Sequence, residues 1–341
     1  MKRFLVIFFL VVAFFALQTL YRAGQFKSID NKFKGSVTEV YTNIPGPEDF
    51  QVDRTTNTLY IAGSERRNKP RTDNGIYVLP LDSVNEPRRL ETDYQGEFNP
   101  HGLSLLRKDS LLYLFAVNHN AEGDFIEAFL VQGDNLYHQY SLNHEDLCCP
   151  NDLLALDLDK IYISNDHGVK KGFGRMLEDY LNIPRASIFY YDGKELKKIA
   201  KSFHYANGLG VSPDGKKLYL AETTGKAITT FRIEENGELF NLGSYDAGTG
   251  VDNIDIDEAG NLWIADHPRM LDFVGHVKDS LNFSPSEVIK LTPVSDFEFE
   301  KEIIYLNNGE QLSASSIAVS HNDELFIGVV FNRSLIRARL P

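Results

Sequence analysis

The sequence predicts an all-β fold, a six-bladed β-propeller with an N-terminal hydrophobic signal-anchor helix and a short rim helix. The first observation is a repeated tetrad of apolar, aromatic, apolar and small residues. It occurs as Leu59-Tyr60-Ile61-Ala62, Leu112-Tyr113-Leu114-Phe115, Ile161-Tyr162-Ile163-Ser164, Leu218-Tyr219-Leu220-Ala221, Leu262-Trp263-Ile264-Ala265 and Leu325-Phe326-Ile327-Gly328. Only the second copy ends on a large residue. The aromatics are 53, 49, 57, 44 and 63 residues apart, a period that matches one four-stranded blade per copy. The second observation is the unit around the tetrad. In Tyr205–Ala221 an alternating strand (Leu209, Val211) meets the turn Pro213-Asp214-Gly215 and returns through the tetrad, which reads as a hairpin. The third is a polar cluster opening every copy, 10 to 12 residues before its aromatic: Glu48-Asp49, His101, Asn151-Asp152, Asn207, Asp252-Asn253 and Ser315-Ser316. If the first strand of each hairpin is innermost, all six openers face one end of the central channel. Asn118-His119, Asn165-Asp166-His167 and Asp266-His267 follow their tetrads and return to that end.

Taken in order, residues 1–24 stand apart. Lys2-Arg3 precede an apolar run from Phe4 to Leu17 that Gln18 to Leu20 extend. The run is short for a membrane span, which needs about 20 residues. It is read as an uncleaved signal-anchor with its positive end inside and the propeller exported, facing the periplasm or the extracellular side. A cleaved signal peptide and a secreted protein are the alternative. Residues 25–35 read as a polar linker, and the propeller domain spans 36–341. Ser36 to Tyr41 alternates as a strand. Blade six offers only three strands of its own, so this N-terminal strand is expected to complete it and close the ring. The loop Ser64 to Asn74 is basic and polar and is expected to be exposed. Gly172 to Asn182 breaks the β pattern, with Phe173, Met176, Leu177, Tyr180 and Leu181 at helical spacing. It is a lid, a membrane-facing helix or a helix packed on the propeller. Leu271 to Phe283 reads as a further rim connection.

Composition narrows the function. The chain has 341 residues, 43% of them hydrophobic and 12% aromatic, enough to bury the core of one large domain. A net charge of −13 without a basic stripe argues against a nucleic-acid partner. There are two cysteines, Cys148 and Cys149, and they are adjacent. No structural disulfide is expected, and both are read as small apolar residues.

Glu48, Asn151, Asn207, Asp252 and Asn253 supply five oxygen donors with a formal charge of −2. That set suits calcium, which takes six to eight hard oxygen ligands. Cysteine is absent from it and histidine only flanks it, so zinc fits poorly. Asp49 and Asp152 fall on the other side of their strands by alternation and suit a second, deeper ion. Asp159 and Asp257 are assigned to turns. His101 opens blade two and His119 ends the return strand of the same hairpin, so pairing makes them neighbours. Such a pair can take a proton from water. His167 and His267 are weaker candidates. No Gly-x-Ser-x-Gly elbow points to a serine triad.

The motifs PHGLS, VNHN, PNDLLAL, SNDH, YANGLGVSPDGKKLY, VDNIDID, ADHP and GVVF resemble the paraoxonase (arylesterase/lactonase) family, from about Glu48 to the end. The resemblance implies a hydrolase of lactones and aryl esters with two calcium ions in the channel. Glu48, Asn151, Asn207, Asp252 and Asn253 would hold the catalytic ion. Asp49, Asp152 and the backbone carbonyl of Leu103 would hold the structural one. His101 and His119 would form the histidine dyad. It also implies a retained hydrophobic N-terminus. The family's animal members tie the N-terminal strand to the C-terminus with a disulfide, and this chain has no cysteines there. The rim helix and loops diverge, so substrate preference does not carry over. The competing readings are a non-catalytic exported calcium-binding propeller and a strictosidine-synthase-like enzyme.

Overall fold

The computed structural model describes residues 2–82 and 84–341. Six sheets follow one another along the chain. Their innermost strands are Pro47–Asp53, Pro100–Lys108, Pro150–Asp157, Ala206–Val211, Gly250–Ile256 and Ser315–His321. Each pairs antiparallel with the strand carrying its tetrad, and each packs on the innermost strands of the two neighbouring blades. The six therefore line a ring, as the phase of the openers predicts.

The tetrad's form follows from its position. A blade is buried on both faces, so alternate residues serve different cores. Leu59 and Ile61 pack with Phe50, Ile317 and Phe326 between blades six and one. Tyr60 and Ala62 pack with Leu103, Leu114 and Ala116 between blades one and two. An all-apolar strand is what such two-sided burial selects.

Ring closure follows the sequence reading. Ser36–Tyr41 pairs antiparallel with Leu335–Arg339, from Ser36 opposite Arg339 to Tyr41 opposite Leu335, and completes blade six. Arg337 fixes the joint. Its guanidinium donates to both Glu324 carboxylate oxygens and to the Leu81 carbonyl of blade one, and it lies against the Tyr41 hydroxyl.

The helices refine the sequence reading. The first, α1 (Lys2–Arg22), is 21 residues long and exposed, longer than the apolar run alone suggested. Its last 20 residues are long and apolar enough to cross a membrane. The second, α2 (Phe173–Leu181), lies where helical spacing placed it. A third, α3 (Met270–Lys278), replaces the expected rim connection. Residues 25–35 are docked rather than free. Lys32–Phe33 pairs with Tyr305–Leu306, and the Met270 amide donates to the Ala23 carbonyl. The second and third helices follow the strands that end at Asn165 and His267, so all three helices gather at the rim that carries the openers. The basic loop also differs from expectation, because Arg66 turns inward and donates to the carbonyls of Gly46, Ser64 and Val330.

Candidate active site

The register slips at the opener of every innermost strand, and once more in blade three, between Ala155 and Asp157. The irregularities fall between Pro47 and Asp49, Pro100 and Leu103, Pro150 and Leu153, Ala206 and Leu209, Val251 and Ile254, and Ser315 and Ile317. A bulge re-aims side chains and frees backbone groups from the ladder, so six bulges in phase turn six short segments into the channel. Simple alternation does not survive at these positions. Two glycines allow the segments to meet. A Cβ on Gly102 would lie 2.5 Å from the Asp152 Cα, and one on Gly208 would lie 2.6 Å from the Asn253 Cα.

Glu48, Asn151, Asn207, Asp252 and Asn253 are all buried. Four of them leave an oxygen without a hydrogen-bond partner: Glu48 Oε2, Asn151 Oδ1, Asn207 Oδ1 and Asn253 Oδ1. Two of the amide nitrogens are occupied as donors. Asn207 Nδ2 donates to Thr223 Oγ1 and to Asp252, and Asn253 Nδ2 donates to the Glu48 carbonyl and to Oε1. An unsatisfied buried acceptor costs about 1–3 kcal/mol. Four such acceptors clustered with a second carboxylate fit a hard cation. Among the described residues no three His, Cys, Asp or Glu side chains form a preformed metal cluster; the donor set is amide-rich instead.

Asp49 and Asp152 are also buried. Asp49 accepts from the amides of Phe50 and Leu103, and Asp152 from those of Leu153 and Leu209. Each carboxylate thus bridges to the next blade's innermost strand. Among the described residues neither is ion-paired with a basic side chain. Burial pushes the pKa of both up, and for Asp49 the negative charges of Asp152 and Glu48 push further. A second cation between them would relieve that strain, which fits the deeper site. Leu103 sits fully buried beside Asp49 through its amide.

The histidines form a chain. Glu48 Oε1 lies 3.1 Å from His101 Nε2, His101 Nδ1 lies 2.9 Å from His119 Nε2, and His119 Nδ1 lies 2.8 Å from Asp124 Oδ1. Asp124 is in turn ion-paired with Lys170. Burial would raise the Glu48 carboxyl, but His101 and Arg66 hold it well below its ordinary value. The His119 ring opens on a pocket yet is hemmed in by protein, and this desolvation lowers its pKa, with Asp124 opposing. Asn99 steadies the return strand by donating to the His119 carbonyl.

Asp124 escaped the sequence reading. It begins the third strand of blade two and has no counterpart in phase in the other blades. The two weaker histidines have other duties. His167 lies between Asp166 and Asp179 at 2.6 and 2.8 Å; burial opposes its charge, but these carboxylates raise its pKa to about 9. His267 Nε2 meets Asp252 at 3.0 Å, and its ring stacks on Phe273 of α3. Asp257 accepts from Asn261 and Trp263 in a turn, as assigned.

The dyad opens on a cavity of about 360 Å³. Pro100, Pro150, Cys148, Cys149, Tyr205 and Arg175 are among the residues that line it. A hydrogen-bonded pair of histidines and a pocket of small-molecule size thus lie beside a buried set of oxygens.

Comparison with known proteins supplies the chemistry. The arylesterase family model matches residues 37–338. Serum paraoxonase/arylesterase 2 of Rattus norvegicus and serum paraoxonase/arylesterase 1 of Homo sapiens are each 34% identical over 242 residues, which is 70% of this chain and 68% of theirs. Solved propellers align at lower identity and speak to the fold. A gluconolactonase from Xanthomonas campestris is 16% identical with a TM-score of 0.56, over 93% of this chain and 99% of its own. The calcium-binding protein regucalcin from Agrobacterium tumefaciens is 15% identical with a TM-score of 0.54, over 91% and 96%. The match runs the length of the propeller at an identity well above that of the fold neighbours, so this chain belongs to the arylesterase family and is an esterase/lactonase hydrolase.

Proposed function

We propose that the chain is a calcium-dependent hydrolase of lactones and aryl esters in which His101 and His119 activate water. One observation supports the reading: the chain Glu48–His101–His119–Asp124 runs from a group of buried oxygens that lack hydrogen-bond partners to a small-molecule pocket lined by His101, His119 and Asp124. Asp124, ionised, accepts the His119 Nδ1 proton and fixes that ring's tautomer. His119 Nε2 then accepts from His101 Nδ1, which leaves His101 Nε2 without a proton, 3.1 Å from Glu48 Oε1, as the basic nitrogen, so that a proton gained there is shared with the Glu48 carboxylate. A proton taken there from water places positive charge on the pair, and Asp124 offsets it. The hydroxide adds to the carbonyl carbon, the ester C–O bond breaks, and the pair returns the proton to the leaving oxygen. Pro100, Pro150 and Tyr205 restrict water around the acyl group. Glu48, Asn151, Asn207, Asp252 and Asn253 would hold a calcium ion that polarises the carbonyl. Asp49 and Asp152, with the Leu103 carbonyl, would hold a second, structural ion. We place the propeller outside the cytoplasm, held by α1.

The test is hydrolysis of phenyl acetate and a lactone panel with calcium, with chelator, and with calcium restored. Activity should vanish and return. His101→Gln should lower kcat by about 100-fold or more, and Asn207→Ala should weaken calcium binding. Full activity under chelation would refute the metal-centred mechanism.

A further inference from the structure

The mechanism leaves two reactive groups unused in the pocket wall. Cys149 is buried and Cys148 half-buried, and both line the cavity that holds His101 and His119. Their sulfurs face each other at 2.8 Å. The backbone of Cys149 is fastened through both its amide and its carbonyl to the return strand of blade three. The Cys149 amide donates to Asn165 Oδ1 at 2.9 Å, and its carbonyl accepts from the Asp166 amide at 2.9 Å. Asn151 follows two residues later.

We propose that Cys148 and Cys149 form a reversible dithiol–disulfide site that reshapes the substrate pocket. The co-reactant is a disulfide-bearing oxidant, either a small molecule or a protein. The Cys148 thiolate attacks one sulfur of that disulfide, forming a mixed disulfide and expelling a thiolate. Cys149 then gives up its proton and attacks the Cys148 sulfur, closing the bond and expelling the second thiolate. The oxidant is reduced to two thiols and no other electron carrier is needed. Cys148 is the more accessible of the two and lines the pocket, which suits it to the attacking role. An exposed nucleophilic cysteine beside a resolving one is the usual arrangement of a redox-responsive thiol.

The bond has a structural consequence. It closes a small ring that contains the Cys148–Cys149 peptide, whose planarity resists the twist required. The strain falls on the Asn165 and Asp166 hydrogen bonds, and through Pro150 on Asn151. Closure therefore moves the pocket wall and one donor of the oxygen cage together. This effect on hydrolysis and calcium rests on the function proposed above; the thiol chemistry does not.

The experiment treats the full chain with oxidised glutathione and reads intact mass, the calcium-induced rise in Tm, and ester hydrolysis. The wild type should lose about 2 Da, the two thiol hydrogens, without retaining glutathione. Dithiothreitol should reverse the change. Cys149→Ser should trap the glutathione adduct at Cys148, and Cys148→Ser should not react. In the oxidised wild type, kcat/KM should fall about 10-fold or more, the scale on which misplaced site groups act. The calcium-induced rise in Tm should shrink. Both should be unchanged in Cys148→Ser compared with itself before treatment. No mass loss, or a stable glutathione adduct on the wild type, overturns the proposal. So does a closed disulfide with calcium response and kcat/KM both unaltered. If the reduced chain hydrolyses nothing while mass and Tm behave as expected, the hydrolase mechanism fails and the thiol site stands.

Discussion

At the scale of single residues, the site is a contest between burial and partners. His119 sits where desolvation keeps its proton off, and Asp124 pulls weakly the other way. The sign of the pH response follows. With a folded pKa below the ordinary 6.5, the ring is neutral at and above that pH and becomes protonated only below it. The pH profile of kcat/KM should be flat on the neutral side and fall with an acid limb whose midpoint lies under 6.5. Asp124→Asn removes the charge that favours the imidazolium and the acceptor that fixes the tautomer. Its acid limb should move lower still, and kcat should drop by about 100-fold. A profile identical to the wild type would remove Asp124 from the relay. The residues that cluster here were legible in the sequence: Glu48, Asn151, Asn207, Asp252 and Asn253 because each opens a repeat, and His119 because it ends the return strand of the hairpin that His101 opens. Asp124 was not, since the third strand of blade two carries no repeated motif. The separate duties of His167 and His267 were not legible either. Each depends on an acid set by local folding that the repeat pattern does not mark: Asp179 on the helix after His167, and Asp252 on the paired strand beside His267.

At the scale of elements, the bulges and the closing strand matter most. Alternation named the strands correctly but failed at the openers, because a bulge is set by how neighbouring blades meet and not by local pattern. The third helix was missed for a related reason. Met270–Lys278 contains Gly275 and three valine or phenylalanine positions of modest helix propensity, and it is held by Phe273 stacking on His267 and by the docked residues at Ala23. Closure was legible, since a three-stranded last blade needs a fourth strand. Tyr41 shows what holds it. Its ring is buried with Phe50, Leu335 and Phe326 between blades six and one. Tyr41→Ala should destabilise the protein by about 3 kcal/mol, measured by denaturant unfolding. A loss under about 1 kcal/mol would mean that the joint rests elsewhere.

At the scale of the whole molecule, three helices share the rim that carries the site. The second exposes Phe173, Met176, Tyr180 and Leu181, and the first leaves the propeller beside the third. The full chain should co-sediment with phosphatidylcholine vesicles. A chain lacking residues 1–22 should bind far more weakly, and Phe173→Ser in that chain should weaken the remainder by about 10-fold, the worth of one buried aromatic. Unchanged binding after the deletion would exclude α1 as an anchor. The closing strand carries one more consequence, which concerns time. Ser36–Tyr41 is among the first parts of the propeller to be synthesised, and its partner Leu335–Arg339 is the last, about 300 residues later. No disulfide holds the place open. Until Leu335–Arg339 has been made, blade six offers an unpaired edge and blade one has no neighbour on one side. Contacts of such long sequence separation form slowly, and open edges invite pairing with other chains. The ring therefore closes only once all six blades exist, and the growing propeller carries an open edge up to that point.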